Sequence, residues 1–189
     1  MSYRVKEIFY SLQGEGCHTG IPAVFVRFSG CNLRCPWCDT DFTTFTEMAL
    51  EDIVTAVQRL QTAKGCYVIL TGGEPSLQAD ENLIQALHRE GYKVAIETNG
   101  THPIPEGIDW ITCSPKEGST LTLAFAHEVK VVYAGINPEH WRQEIDTNHW
   151  LLQPLDRDGH ANTQEVIHYI LEHPDWRLSI QTHKLLGLR

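Results

Sequence analysis

Apolar and polar residues change rhythm repeatedly along this chain, and each rhythm predicts an element. Runs rich in valine, isoleucine, threonine and aromatics at 22–29 (PAVFVRFS), 66–71, 92–97, 109–114, 127–133 and 149–153 read as strands, and 177–181 adds a further one. In the first run Ala23, Phe25, Arg27 and Ser29 share one face, and Val24, Val26 and Phe28 the other. Between the strands lie helical patterns. Residues 47–63 place Leu50, Ile53, Val54, Val57 and Leu60 at three- and four-residue steps, and 81–90 and 163–172 read the same way. Gly65 and Gly91 follow two of these helices as stops. Strand, helix, strand alternation predicts an α/β fold with parallel strands and right-handed crossovers. With no linker, repeat or low-complexity tract, residues 1–189 are expected to form one domain.

In such sheets reactive residues gather at the carboxyl ends of strands. Here the polar motifs fall at those ends: GCNLRCPWCDT (30–40) after the first strand, TGGEP (71–75) after the second, ETNG (97–100) after the third, SPK (114–116) after the fourth and QPLD (153–156) after the sixth. Six or so strands in 189 residues cannot build the eight units of a full barrel, which needs about 250 residues. An incomplete, splayed (β/α)6-like partial TIM barrel with trimmed helices is the expectation, and its open edge suits cover by a second copy, a homodimer.

Composition narrows the function classes. Apolar residues make up 42% and charged residues 21%, as in an ordinary soluble globular protein, and no apolar run is long enough for a membrane span. No signal-peptide core opens the chain, so a cytoplasmic location is expected. A formal charge of −9 argues against nucleic acid as the main partner.

Six cysteines in a reducing compartment do not read as disulfides. Cys66 and Cys113 sit in strand-like runs and read as buried small apolar groups; Cys17, in a glycine-rich loop, has no evident role. Cys31, Cys35 and Cys38 form a separate problem. A structural zinc site takes four protein ligands, which Asp39 or a distant histidine would have to complete. A cubane cluster has four irons, so three thiolates leave one iron open to a substrate or cofactor.

The CxxxCxxC spacing after the first strand, with GGEP after the second, resembles the cluster motif of the radical S-adenosylmethionine (radical SAM) enzymes. That resemblance implies a 4Fe–4S cluster on Cys31, Cys35 and Cys38, S-adenosylmethionine (SAM) chelating the open iron, and a 5′-deoxyadenosyl radical made by one-electron reduction. It places Trp37, Cys38, Asp39, Gly72, Gly73, Glu74, Glu97, Asn99, Ser114, Pro115, Lys116, Gln153, Pro154, Leu155 and Asp156 around SAM. Gly72, Gly73 and Glu74 would face its methionine end, Glu97 and Asn99 its ribose, and Trp37, Cys38 and Asp39 its adenine.

Four further segments, SLQGEG (11–16), CDT (38–40), ETNGT (97–101) and WRLSIQTHKLLGLR (176–189), closely resemble the 7-carboxy-7-deazaguanine synthases of queuosine and deazapurine biosynthesis. The likeness runs from about residue 8 onward, and 119–150 is not distinctive. It implies a carbon–nitrogen lyase that converts 6-carboxy-5,6,7,8-tetrahydropterin to 7-carboxy-7-deazaguanine with loss of ammonia. The radical takes a hydrogen from the carboxylate-bearing carbon, the ring contracts, and the hydrogen returns to regenerate SAM. Glu15 would match the pterin's amide and amino edge, helped by Gln13 and the backbone of Leu12 and Gly14. Arg27, the sole charge in its strand, would pair with the substrate carboxylate, and Thr71 and His183 would touch the substrate. The resemblance assigns Mg2+ to Thr40, although Asp39 is the more obvious oxygen donor. A flavodoxin- or ferredoxin-type donor would supply electrons, and the carboxylate after Arg189 is expected to fold back to the pocket. A glycyl-radical activase would share the cluster and SAM motifs, but has no use for LQGEG, Arg27 or a metal at Thr40. A non-catalytic zinc module remains the other alternative.

Overall fold

The computed structural model describes residues 2–41, 43–157 and 159–189. Its centre is a nine-stranded sheet in the order β11-β8-β7-β6-β5-β4-β2-β1-β3. Strands β2 (Pro22–Phe28), β4 (Tyr67–Gly72), β5 (Lys93–Thr98), β6 (Trp110–Cys113), β7 (Phe125–Tyr133), β8 (Asp146–Pro154) and β11 (Trp176–Leu178) run parallel to one another. This is the splayed partial barrel that the alternation predicts. Its helices are trimmed: α1 (Leu50–Leu60), α2 (Glu81–Arg89) and α3 (Thr163–Glu172) cover the outer face, and no α-helix separates β5 from β6 or β6 from β7. A two-stranded hairpin, β9 (Asp156–Arg157) with β10 (His160–Ala161), follows β8, and a short helix α4 (Thr182–Leu186) follows β11.

Two elements escape the sequence pattern. β1 (Ser2–Leu12) pairs antiparallel with β2, and β3 (Thr46–Ala49) pairs antiparallel with β1. A register shift between Val5 and Glu7 explains the first omission: Tyr3, Val5 and Ile8 pack outward while Phe9 packs inward, so the two-residue period is broken. β3 corrects the predicted helix at 47–63. Pairing with β1 holds residues 46–49 extended, and α1 begins at Leu50, where Asp52 accepts a hydrogen bond from the Ala49 N–H at 3.2 Å. Because α1 ends at Leu60, Gly65 is not its stop; it lies in the following turn, its N–H bonded to the carbonyl of Gly91. Gly91, at φ +86°, does close α2. Of the two cysteines read as buried, Cys113 is, whereas Cys66 is only partly covered at the mouth of β4.

The outer core joins Val24, Val26, Phe28, Val68, Leu70, Val94 and Ile96 to Ile53 and Val57 of α1 and Leu83 and Leu87 of α2. A second cluster packs β7 and β8 against Val166 of α3 and Trp176. The inner face has only a small apolar floor of Phe9, Ala23, Phe25, Ile69 and Ala95. Two residues further along each strand that face turns polar, and there the site begins.

Candidate functional site

Arg27 lies beside Thr71, Glu97 beside Thr112, and Thr112 beside Glu128, so neighbouring strands set polar side chains in register just above the apolar floor. They bond laterally: Thr71 Oγ1 donates to Glu97 Oε2 at 2.8 Å, and Thr112 Oγ1 to Glu128 Oε1 at 2.8 Å. Above this belt opens a cavity of about 950 Å3, lined from β2, β4, β5, β6, β7 and β8, the cluster loop, and the segment around α4. Of the site residues singled out in the sequence, all except Glu74 and Pro115 line it.

Glu74 lies behind the wall. It is fully buried, and its carboxylate accepts from Ser76 N–H at 3.0 Å, Thr98 Oγ1 at 2.6 Å and Asn99 N–H at 2.7 Å. It therefore braces the turn that carries Asn99. The two glycines before it allow β4 to lie against the cluster loop. A Cβ on Gly73 would stand 2.1 Å from the carbonyl oxygen of Gly30, and one on Gly72 2.2 Å from that of Phe28. With no side chain in the way, Gly73 N–H reaches Phe28 O at 3.1 Å and Glu74 N–H reaches Gly30 O at 2.9 Å. Asn32 fastens the loop on the other side through Asn99 and Thr101, at 3.1 and 2.8 Å.

On this irregular loop Cys31, Cys35 and Cys38 are free thiols facing one cavity. Burial pushes Cys31 and Cys35 above the usual thiol range. Lys116 stands close: it donates to Ser114 O and Oγ, lies 5.7 Å from the Trp37 ring centroid, and is lowered by burial against the opposing pull of Cys35. Thr40 Oγ1 is 3.4 Å from Asp39 Oδ1. The Asp39 carboxylate is already engaged by Lys184 at 2.8 Å; burial pushes its pKa up, but the Lys184 bond and charge together with Gln181 outweigh it and hold the pKa down.

Facing the cluster loop is the 12–17 loop. Gln13 Nε2 donates to Glu97 at 2.7 Å, Gly16 N–H to Ser179 Oγ at 3.0 Å, and Cys17 N–H to Glu128 at 2.7 Å. Thr182 bonds the Gly14 carbonyl through both N–H and hydroxyl. Glu15 meets Lys130 and, at 2.8 Å, Gln181 Nε2. Arg27 donates to Glu7 at 2.9 Å and lies 5.8 Å from the Phe9 ring centroid. Arg189 lines the cavity with its guanidinium, which reaches Glu7 and stands over the Phe9 ring. His183 packs where a Gly14 Cβ would stand, and burial lowers its pKa.

Sequence reasoning missed Glu7, Thr112, Glu128, Lys130, Gln181 and Lys184. Two of these carry a readable signal: in HEVKVVY, Glu128 and Lys130 alternate with valines, the same charge-in-an-apolar-strand pattern that marks Arg27. The others depend on contacts between distant segments, which leave no local pattern.

Among the described residues no three His, Cys, Asp or Glu side chains converge as around one metal ion. Three thiols on one cavity wall suit a cluster that takes one thiolate per iron and leaves one corner for another ligand. Fold and donor set together define a radical SAM enzyme, and the family model described as Radical SAM superfamily matches residues 25–174. The 4Fe–4S cluster and SAM are the cofactors of that class.

Closer relatives carry a more particular name. The chain is 50% identical over 189 residues to a 7-carboxy-7-deazaguanine synthase from Bacteroides thetaiotaomicron, covering 100% of both chains. It is 46% identical to one from Bradyrhizobium diazoefficiens, again over 100% of each. Among solved structures, that of QueE from Escherichia coli matches with a TM-score of 0.74 and 26% identity, over 96% of this chain and 94% of that one. The chain belongs to the 7-carboxy-7-deazaguanine synthase family.

Proposed function

We propose that this enzyme converts 6-carboxy-5,6,7,8-tetrahydropterin to 7-carboxy-7-deazaguanine, releasing ammonia, a step toward queuosine and other deazapurines. The observation that carries this reading is that the cysteine triplet, Glu15 and Arg27 line one cavity in a chain half identical, end to end, to a protein named for that product. The cluster and SAM, when bound, supply a carbon-centred radical that removes one hydrogen atom from the substrate and later returns it.

The chain's own residues bind, orient and shield. Cys31, Cys35 and Cys38 hold the cluster. Gly72 and Gly73 admit the methionine end of SAM along bare backbone, and Asn99, Ser114, Lys116 and residues 153–156 complete its bed. Arg27 pairs with the substrate carboxylate, a match of guanidinium to planar anion, while Glu7 engages its Nε. Glu15 accepts from the pterin's amide and amino edge, flanked by the Leu12, Gln13 and Gly14 segment. Thr71 and His183 close the remaining sides, and Glu97 joins Asn99 at the SAM ribose. The Thr40 hydroxyl is a fitting oxygen ligand for a hydrated Mg2+ shared with the substrate; Thr40→Ala should lower the Mg2+ dependence of turnover, and an unchanged metal response would remove the role. The chain works as one radical SAM domain, as a homodimer whose second copy covers the sheet edge, with a small flavodoxin or ferredoxin as reductant in the cytoplasm. No described helix is long and apolar enough to cross a membrane.

The deciding experiment is an anaerobic incubation of the reconstituted enzyme with SAM, a reductant and the carboxypterin. The deazaguanine should appear by its ultraviolet spectrum together with ammonia. Cleavage of SAM with no deazaguanine would exclude the assignment.

A further inference from the structure

β7 sends Glu128 and Lys130 inward and Val129 and Val131 outward. Lys130 is 6% exposed. An ammonium so far from water is costly unless a carboxylate meets it, and among the described residues Glu15 is the one in ion-pair contact with it. Glu128, two residues earlier on the same face, is engaged elsewhere, accepting from the Cys17 N–H and the Thr112 hydroxyl.

An ionised carboxylate accepts only, with about four acceptor sites on its two oxygens. In Glu15 the Lys130 ammonium takes a site on Oε2 and the Gln181 amide one on Oε1. Among the described residues each oxygen is thus held once and keeps a site for another donor. Two neighbouring N–H groups on a flat heterocycle are the donors that fit such a pair.

Resting on the proposed reading of Glu15, we propose that Lys130 is a positioning residue that fixes this carboxylate as a paired acceptor for the pterin's amide and amino edge. The loop backbone is tied independently, through Gly14, Gly16 and Cys17. Loss of Lys130 therefore frees the Glu15 side chain without releasing its loop.

The test is a double-mutant cycle on the reconstituted enzyme, reading kcat and KM for the carboxypterin. Iron content and substrate-free SAM cleavage are recorded on the same samples. Lys130→Met should raise KM about tenfold with a smaller change in kcat, and Glu15→Gln should raise it more. The double variant should be no worse than Glu15→Gln within about twofold. A merely structural lysine would not couple in this way. If Lys130→Met does not fold, Lys130→Gln, which keeps a donor and drops the charge, runs the same cycle. An unchanged KM, or factors that multiply in the double variant, would overturn the inference while leaving the function intact. A wild-type enzyme inert toward the carboxypterin would overturn the function and the inference with it.

Discussion

Two lysines each hold a carboxylate of the cavity, and water treats them differently. The side chains of Lys130 and Glu15 are 7% and 15% exposed; those of Lys184 and Asp39 are 36% and 53% exposed. The inner pair stands on a strand, in a polar belt whose members bond one another. The outer pair joins α4 to the cluster loop, and Lys184 reaches Asp156 as well, at 3.3 Å. Equal ion chemistry therefore serves two ends. Burial makes the inner pair a fixed element of geometry, and exposure makes the outer pair a weak latch across the mouth.

The comparison breaks most readily at the inner pair. Lys130→Met leaves Glu15 short of its counter-charge and should cost about 3 kcal/mol of folding stability, measured by denaturant titration. A loss no greater than that of an exposed lysine would erase the distinction. Next in size is Arg27→Lys. It replaces a planar fork with a point charge beside Glu7, and should raise the KM for the carboxypterin about tenfold with little change in stability.

The smallest effect belongs to the latch. Lys184→Ala should cost about 0.5 kcal/mol, and the cost should vanish in about 1 M salt. Partial burial lowers the Lys184 ammonium, but Asp39 and Asp156 outweigh it and hold its pKa above 10.5. A folded pKa above the unfolded value means that the Lys184 side of the latch contributes fully below pH 10.5 and is lost as pH rises past it, while the depressed Asp39 carboxylate sets the loss at the acid end. Lys130 is shifted the other way. Burial pushes it down to about 8, which leaves it charged at neutral pH. Rising pH should therefore discharge the inner pair first, above about 8, and loosen α4, seen by hydrogen exchange or proteolysis, only past 10.5; one common transition would blur the contrast.

Much of this arrangement is legible in the sequence. Residues near in sequence and near in space announce themselves: the triplet, the glycine pair at the end of β4 and the arginine in β2 all belong to or follow strands whose composition marks them. β1 does not, because its register shift breaks the alternation on which a strand is recognised. Nor does β3, whose four residues sit at the head of a helical pattern and are extended only because β1 is there to pair with. Glu74 looks like a cofactor contact because it stands beside two glycines. Its burial and its three bonds to Ser76, Thr98 and Asn99 come from the sheet closing around it. Gln181 and Lys184 are hidden for another reason: their partners lie 166 and 145 residues away in the chain.

The chemistry proposed for the cavity requires that the fourth ligand on the cluster be SAM rather than a side chain. The most direct measurement is the electron paramagnetic resonance spectrum of the reconstituted, reduced, oxygen-free protein before and after addition of SAM. The account predicts a reduced 4Fe–4S signal whose g-values shift when SAM binds the open iron. A spectrum indifferent to SAM would contradict it.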